Sequence, residues 1–528
     1  MHYDFIIVGS GSAGGILAAR LSEDQSISVL LIEAGPIHMS YPDMPDAVKY
    51  GYGPERAYGE YFYKNSGDAR MFVARANDLQ PPMLVPRGTT LGGSSSVNAQ
   101  IFLRGEPDDY DMWASAGNDL WSFDQCLPYF KKLENDLDYA GYWHGNAGPI
   151  KCVRHPRHEW NKDDEAFYNS CKKIGFSEVS DHNNPESTGV GPLPFNTVNR
   201  IRQSTWLNYV RPVIQRKNLT VIPNAGVKSV KFSGTKADSV LVSTPNGIEE
   251  ILGGEFILSA GAISSPQILM LSGIGPALEL EKLGIKVVQN LQGVGQNLRD
   301  HPQVNLSWRA QSDYKFDQKN RSFNVGLRYT ATGSNLRNDM FIQPLSYSNG
   351  PGKNSVFLGD TSTGVDSFLG MAAIIYLAKG SGSLKLRTGD CSVQPFLDYN
   401  YLSEQEDLTR LMESVKICIA IGESSEYKTI VTGLADPELD VIESDNKLAL
   451  WVKQNVKTSH HISGTCKMGL SSDYFAVVNQ FGQVHGVSNL RVVDASIMND
   501  CVRANTNLPT MMIAERIADL IVNGSGHC

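Results

Sequence analysis

The sequence predicts an α/β protein whose first unit is a nucleotide-binding strand–turn–helix and whose later part is a second, substrate-facing domain of antiparallel sheet. Three observations predict it. Residues 5–8 (FIIV) form a short apolar run that enters a glycine cluster, with Gly9, Gly11 and Gly14 at the G-x-G-x-x-G spacing. A helical apolar pattern follows (Ile16, Leu17, Ala18, Leu21), and a second apolar run, residues 27–32, ends at Glu33. Residues 302–400 change character: polar stretches such as 311–321 and 346–356 alternate with strand-like runs at 371–377 and 383–387.

Each part of the first unit has a Rossmann-type job. Gly9 permits the tight turn, Gly11 lets backbone approach a pyrophosphate, and Gly14 lets helix and strand pack closely. The helix N-terminus offers free N–H groups and a positive dipole end to phosphates. Glu33, about 20 residues on, stands where a ribose hydroxyl is bound. A lone glycine motif is weak, but strand, helix, second strand and acid together specify a dinucleotide site. They choose neither the dinucleotide nor the reaction.

With 528 residues the chain exceeds one compact core, so two domains or an interleaved pair are expected. Composition is that of an ordinary globular protein, 41% hydrophobic and 20% charged. A net charge of −9 argues against non-specific binding to nucleic acid or anionic membrane. The eight cysteines form no C-x-x-C pair, so they read as reduced, buried thiols and no metal site is expected. No apolar stretch is long enough to span a bilayer, and the first strand leaves no room for a signal peptide, so a cytoplasmic location is expected. The terminal GSGHC matches no targeting tail, and nothing speaks to oligomeric state.

In chain order, residues 36–86 read as a long excursion rich in Pro, Gly, Tyr and Met. Residues 91–98 (LGGSSSVN) are small enough for backbone to run flat against a ligand, or simply form a helix-capping loop. Helix is expected over 107–136 and 164–175, and loop over 181–205. Residues 219–258 hold four short strands, the last running into a small-residue turn and helix at 260–276. A clear helix covers 404–422, with acids in its first turn. The chemistry gathers in the last third. Adjacent histidines precede a small-residue turn in SHHISGTCKMG (459–469), a strand ends at an acid in VSNLRVVDASIM (487–498), and a polar turn feeds a helix at 504–521.

Together, GSGSAGG with Glu33, LGGSSSVN at 91–98, GAISSPQILMLSGIGP at 261–276, HISGTCKMG at 461–469 and DASIM…ANTNLPTMMIAE at 494–515 resemble the glucose–methanol–choline family of FAD-dependent oxidoreductases over nearly the full length. Within it the chain is most similar to bacterial oxidases of aromatic and furanic primary alcohols. The resemblance implies FAD and a Rossmann-type FAD-binding domain discontinuous in sequence, residues 1–155, 195–300 and 455–528. A substrate domain, 156–194 and 301–454, would lie over the flavin. By position it implies that Ser12 and Ala13 meet the pyrophosphate and Glu33 the adenosine ribose. Leu91, Gly93 and Asn98 would line the flavin, and Val227 would reach adenine. Asp494 and Ala495 would lie near the pyrophosphate and ribityl chain, and Thr506 at the pyrimidine edge. Two positions depart from the family pattern. Val97 stands where some relatives attach FAD through a histidine, so non-covalent FAD is expected, and Thr89 replaces a usual basic residue.

Alcohol oxidation needs a base for the hydroxyl proton and a carbinol C–H directed at flavin N5. The resemblance gives the base to His461 and a hydrogen-bonding partner role to Asn505. It implies a primary alcohol oxidised to the aldehyde, with O2 taking the electrons to give H2O2. A dehydrogenase passing electrons to a quinone or other acceptor is the alternative, and an FAD-containing cyanohydrin lyase the remote one. Neighbouring side chains of an extended chain point to opposite sides, so His460 is expected to face away or merely line the substrate pocket. Arg503 reads as a salt-bridge residue, or as a contact for an acidic substrate group.

Overall fold

The computed structural model describes residues 2–51, 67–315, 321, 323–348 and 368–524. Residues 52–66 of the expected excursion, most of the polar stretch at 346–356 and Cys528 lie outside them.

Strand β1 (His2–Val8) leads through the glycine turn into α1 (Gly14–Leu21) and then β2 (Val29–Ile32). β1 and β2 are parallel, with Phe5 opposite Val29. The strand Leu219–Ile222 lies outside β2, and Gly247–Leu258 lies on the other side of β1 with Leu258 opposite Val8. Leu490–Val492 closes this parallel set beside Gly247–Leu258. Segments from both ends of the chain thus share one sheet. β2 is buried along its whole length, as expected for a parallel strand covered on both faces. α1 packs there against the last helix, Asn507–Val522. The first half of Gly247–Leu258 leaves the parallel set and pairs antiparallel with Lys236–Thr244, which pairs in turn with Gly226–Ser233.

A second sheet is antiparallel, in the order Val431–Asp436, Pro302–Ala310, Phe368–Ile375, Met340–Ser348, Val325–Tyr329, Gly189–Pro192. The helices Gln405–Gly422 and Lys162–Lys173 pack against it. The α/β class with a second antiparallel sheet is therefore as the sequence predicts.

Two stretches differ from expectation. The helix expected over 107–136 breaks into Pro107–Ser115 and Phe123–Leu133, because Gly117 between them turns to φ +93°. Residues 181–205, expected as loop, contain the short strands Gly189–Pro192, Pro194–Phe195, Thr197–Val198 and Ile201–Arg202. The first of these finds its partner in Val325–Tyr329, a pairing that no local periodicity announces.

The two sheets meet where Pro302–Ala310 begins. Lys457–Thr458 pairs antiparallel with it, Pro302 opposite Thr458, and beyond them Ser463 and Arg299 exchange backbone hydrogen bonds of 2.9 Å. This ladder brings residues 299–303 alongside 457–463.

Candidate active site

A cavity of about 650 Å3 runs between the two sheets. Its walls include Gly9, Gly11, Ser12, Ala13 and Glu33 from the first turn and strand end, and His460, His461 and Asn505 from the last third. The glycine turn is sterically closed. Gly9 takes φ +94°, a region that favours glycine. A Cβ on Gly14 would stand 1.8 Å from the Gly9 carbonyl oxygen, so Gly14 serves packing and does not reach the wall. Around Gly11 the nearest atom to a Cβ would be Gly93 Cα at 3.9 Å, so this position opens onto the cavity. Gly93 in turn fits only without a side chain, since its own Cβ would meet Gly11 Cα at 2.7 Å.

Three helices begin on this wall: α1 at Ala13, Gly261–Leu271 at its first residue, and Asn507–Val522 after Thr506. Each directs first-turn N–H groups and the positive end of its dipole into the space. Ser12 Oγ donates to Asn507 Oδ1 at 2.8 Å, tying the first turn to the last helix. Asn507 Nδ2 is buried and has no hydrogen-bond partner in the protein. Glu33 accepts from Ser10 N–H at 2.9 Å, Ser10 Oγ at 2.6 Å and Gly35 N–H at 2.9 Å. Burial pushes its carboxyl up, and the Ser10 donors pull against that.

Of the other expected positions, Asn98, Val227, Asp494, Ala495 and Thr506 also lie on the wall. Asn98 Oδ1 is held by Arg202 at 2.7 Å and by the Gln100 N–H at 3.1 Å. Asp494 spends both oxygens inside the protein: Oδ2 accepts from Gly261 N–H at 2.9 Å and Ser265 Oγ at 2.6 Å, and Oδ1 from Ser496 N–H at 2.8 Å. It fastens the start of the Gly261 helix to the end of the strand Leu490–Val492. Leu91 does not reach the wall. It is buried behind it, donating its N–H to the Pro36 carbonyl and accepting from Ser96 Oγ.

The chemistry-bearing corner is assembled from three segments. His461 Nε2 accepts from Asn505 Nδ2 at 2.9 Å, and His461 Nδ1 lies 2.8 Å from His301 Nδ1. The two imidazoles meet edge to face, centroids 4.9 Å apart. One oxygen of buried Asp300, Oδ1, accepts the backbone N–H of both His301 (2.7 Å) and His461 (2.8 Å). Burial, reinforced by nearby His301, His460 and Arg87, holds the His461 imidazole well below its ordinary range, so it is neutral at neutral pH. Asn505 Oδ1 is buried without a partner.

His460 shares the wall with His461, the second of the two positions that the sequence leaves open for it. Its φ of +68° breaks the extended path, so the alternation rule does not apply there. Its N–H is held by Thr458 Oγ1 at 2.8 Å and its carbonyl accepts from Arg87 at 2.8 Å. Arg503 is fully buried and salt-bridged to Asp109 at 2.7 Å, off the cavity wall.

Facing this corner, alternate residues of neighbouring strands of the antiparallel sheet turn inward: Gln303 and Asn305, Phe341, Gln343 and Leu345, and Ile374. The wall-lining carboxylates among the described residues are Glu33, Asp390 and Asp494, none of them on this sheet.

Residues 3–303 match the N-terminal model, and residues 378–514 the C-terminal model, of the family described as GMC oxidoreductase. The chain belongs to the GMC oxidoreductase family. It is 33% identical to an oxygen-dependent choline dehydrogenase of Vibrio vulnificus, covering 99% of this chain and 94% of that one. Pyridoxine 4-oxidase from Mesorbium loti superposes with a TM-score of 0.89 at 27% identity, over 99% of both chains. A fungal aryl-alcohol oxidase shares the fold, with a TM-score of 0.82 at 21% identity over 99% of each chain. As a GMC oxidoreductase the protein is a flavoenzyme, and GMC enzymes depend on FAD. The walls fit that group: a glycine cradle open at Gly11, three helix N-termini for phosphates, the unpaired Asn507 Nδ2 donor and a carboxylate at Glu33 for a ribose.

His301 and Asp300 escape a reading of the sequence alone. Their signal is the dipeptide in NLRDHP, which lacks a motif spacing because its partner lies 160 residues away. Away from the cavity wall, Glu134, Asp136 and His144 have ligand atoms close enough together to hold a cation. This cluster is filled by its own counter-charges. Arg104 bonds Glu134, and Arg154 bonds Asp136 and Asp181 at 2.8 and 2.7 Å. Burial opposes the charge on His144, but Asp136, Asp181 and Glu134 carry its pKa up to about 10. No helix among the described residues is long and apolar enough to cross a membrane.

Proposed function

We propose that the protein oxidises a neutral primary alcohol to the aldehyde, with His461 as the base and Asn505 as its partner. The observation that carries this reading is the 2.9 Å hydrogen bond from Asn505 Nδ2 to a neutral His461 Nε2 on the wall of the cavity that the glycine turn also lines. A substrate hydroxyl entering between them would donate its proton to His461 Nε2 and accept from Asn505 Nδ2. The amide then steadies the alkoxide as the carbinol hydrogen leaves. When bound, FAD would supply the acceptor for that hydride, and O2 would take up the two electrons as H2O2. The cofactor is held without a covalent bond on this reading, because Val97, at the wall position that the family resemblance gives to flavin attachment, offers no nucleophilic atom. The division of the chain into 1–155, 195–300 and 455–528 against 156–194 and 301–454 follows the same reading, with the second part supplying the sheet over the substrate.

The substrate class follows from that sheet face. Neutral amides and aromatic rings, without a carboxylate among the described residues, suit an uncharged alcohol on an aromatic or heteroaromatic ring better than a quaternary ammonium. The test is oxygen uptake and peroxide release by purified holoenzyme with benzyl-type and furanic alcohols, with choline alongside. Turnover with the ring alcohols and little with choline is the expected result. Turnover that needs an added dye and yields no peroxide would replace the oxidase by a dehydrogenase. A bound flavin that no alcohol bleaches once oxygen is removed would point to a lyase.

A further inference from the structure

A histidine serves as base at Nε2 only if the single hydrogen of its neutral ring sits on Nδ1. In His461 that choice is made by a neighbour. His461 Nδ1 and His301 Nδ1 stand 2.8 Å apart and share one hydrogen, so one ring donates and the other accepts. The other nitrogen of His301, Nε2, lies 2.9 Å from the Val502 carbonyl oxygen, which can only accept. Its hydrogen is therefore on Nε2. The thiol of Cys501 is also near that nitrogen, at 3.1 Å, but Sγ lies 3.7 Å from the His461 carbonyl oxygen, which takes the thiol hydrogen. A neutral His301 with its hydrogen on Nε2 presents a lone pair at Nδ1, and His461 must donate to it. The lone pair of His461 then falls on Nε2, where Asn505 already donates.

The surroundings keep this order. His301 is fully buried, and burial lowers its pKa to about 3, so it does not become a double donor at neutral pH. The Tyr376 ring packs 4.9 Å from its imidazole. Asp300 Oδ1 clamps both histidine N–H groups, and Asp300 Oδ2 is itself fixed by Tyr401 at 2.8 Å and by Thr458. Val502 lies three residues before Asn505, so the carbonyl that orients His301 and the amide that meets His461 belong to one segment.

We propose that His301 is a positioning residue that fixes the tautomer of His461, holding its hydrogen on Nδ1 and its lone pair on Nε2 toward the substrate. The relay ends at the Val502 amide carbonyl, which does not take up a proton, so a proton gained at Nε2 stays within the His461–His301 pair. This rests on the reading of His461 as base.

The test pairs 15N spectra of histidine-labelled holoenzyme with anaerobic flavin reduction by an alcohol that the enzyme turns over. His461 signals are assigned by their loss in His461→Gln. In the wild type the expected spectrum shows a pyridine-type Nε2 and a hydrogen-bearing Nδ1 for His461. A hydrogen-bearing Nε2 would overturn the proposal, even if every His301 variant failed to fold. His301→Leu, which fills the space without an acceptor, should lower the reduction rate by about 10- to 100-fold while FAD content and apparent alcohol affinity hold. His301→Asn, whose amide oxygen can take the Nδ1 position, should recover most of that rate. A His301→Leu enzyme that reduces at the wild-type rate would overturn the proposal. Should His461→Ala also reduce its flavin normally, the base assignment itself would have failed, and the two failures are thereby told apart.

Discussion

The wall around the glycine turn and the corner around His461 are built by different means. The first is backbone held in steric register: Gly14 against the Gly9 carbonyl, Gly93 against Gly11, and helix starts aimed inward. The second is side chains held by hydrogen bonds, with Asn505, His461, His301 and Asp300 drawn from three distant segments. A steric wall fails as a whole when an atom intrudes. A hydrogen-bonded corner fails by degrees, in rate, with the cofactor still in place.

That contrast can be broken or sharpened by substitution. The largest effect should come from Gly14→Ala. Its Cβ would sit 1.8 Å from a backbone oxygen, which nothing but displacement of α1 relieves. The expected product is insoluble or flavin-free, read from the visible absorbance per chain and a thermal melt. A variant that melts and binds FAD like the wild type would show that the turn is not the steric wall described. Next, Asn505→Ala should lose about 100- to 1,000-fold in kcat/KM, the usual cost of one donor to a developing oxyanion, with FAD content unchanged. A loss of FAD in that variant would erase the distinction between wall and corner. The smallest effect is expected at Glu33→Gln. Ser10 donates to one carboxylate oxygen and Gly35 to the other, so the amide keeps an acceptor for only one of them and also gives up a charge-assisted contact to a ribose; FAD should bind about tenfold more weakly and kcat should hold at saturating FAD.

The same contrast explains what the sequence disclosed. The steric wall is written locally: strand, glycines, helix, second strand and Glu33 fall within one short stretch, and together they name the dinucleotide site. Its return strand, Leu490–Val492, was legible as a strand ending in an acid, and the resemblance supplied His461 and Asn505. What stayed hidden depends on pairing across the chain. His301 gains its meaning from the Pro302–Thr458 ladder, which no periodicity encodes. The inward face of the antiparallel sheet needs the register of Pro302–Ala310 against Phe368–Ile375 before Gln303 and Asn305 can be picked. His460 faces the cavity because of a single left-handed residue, and the strand rule gives no notice of it.

The acid limb of catalysis follows from the same corner. The His461 pKa is lowered by burial, with His301, His460 and Arg87 adding to it. A base whose pKa is lowered stays unprotonated as pH falls through the ordinary histidine range of about 6.5. Flavin reduction should therefore be flat through that range and decline only in stronger acid.

The most direct measurement is anaerobic reduction of the bound flavin by a primary alcohol, followed by stopped flow in the wild type and in His461→Ala of equal FAD content. If His461 is the base, the limiting rate falls by about 100- to 10,000-fold, with the flavin spectrum of the oxidised enzyme unchanged. A His461→Ala enzyme that reduces its flavin within a few-fold of the wild-type rate would contradict the account.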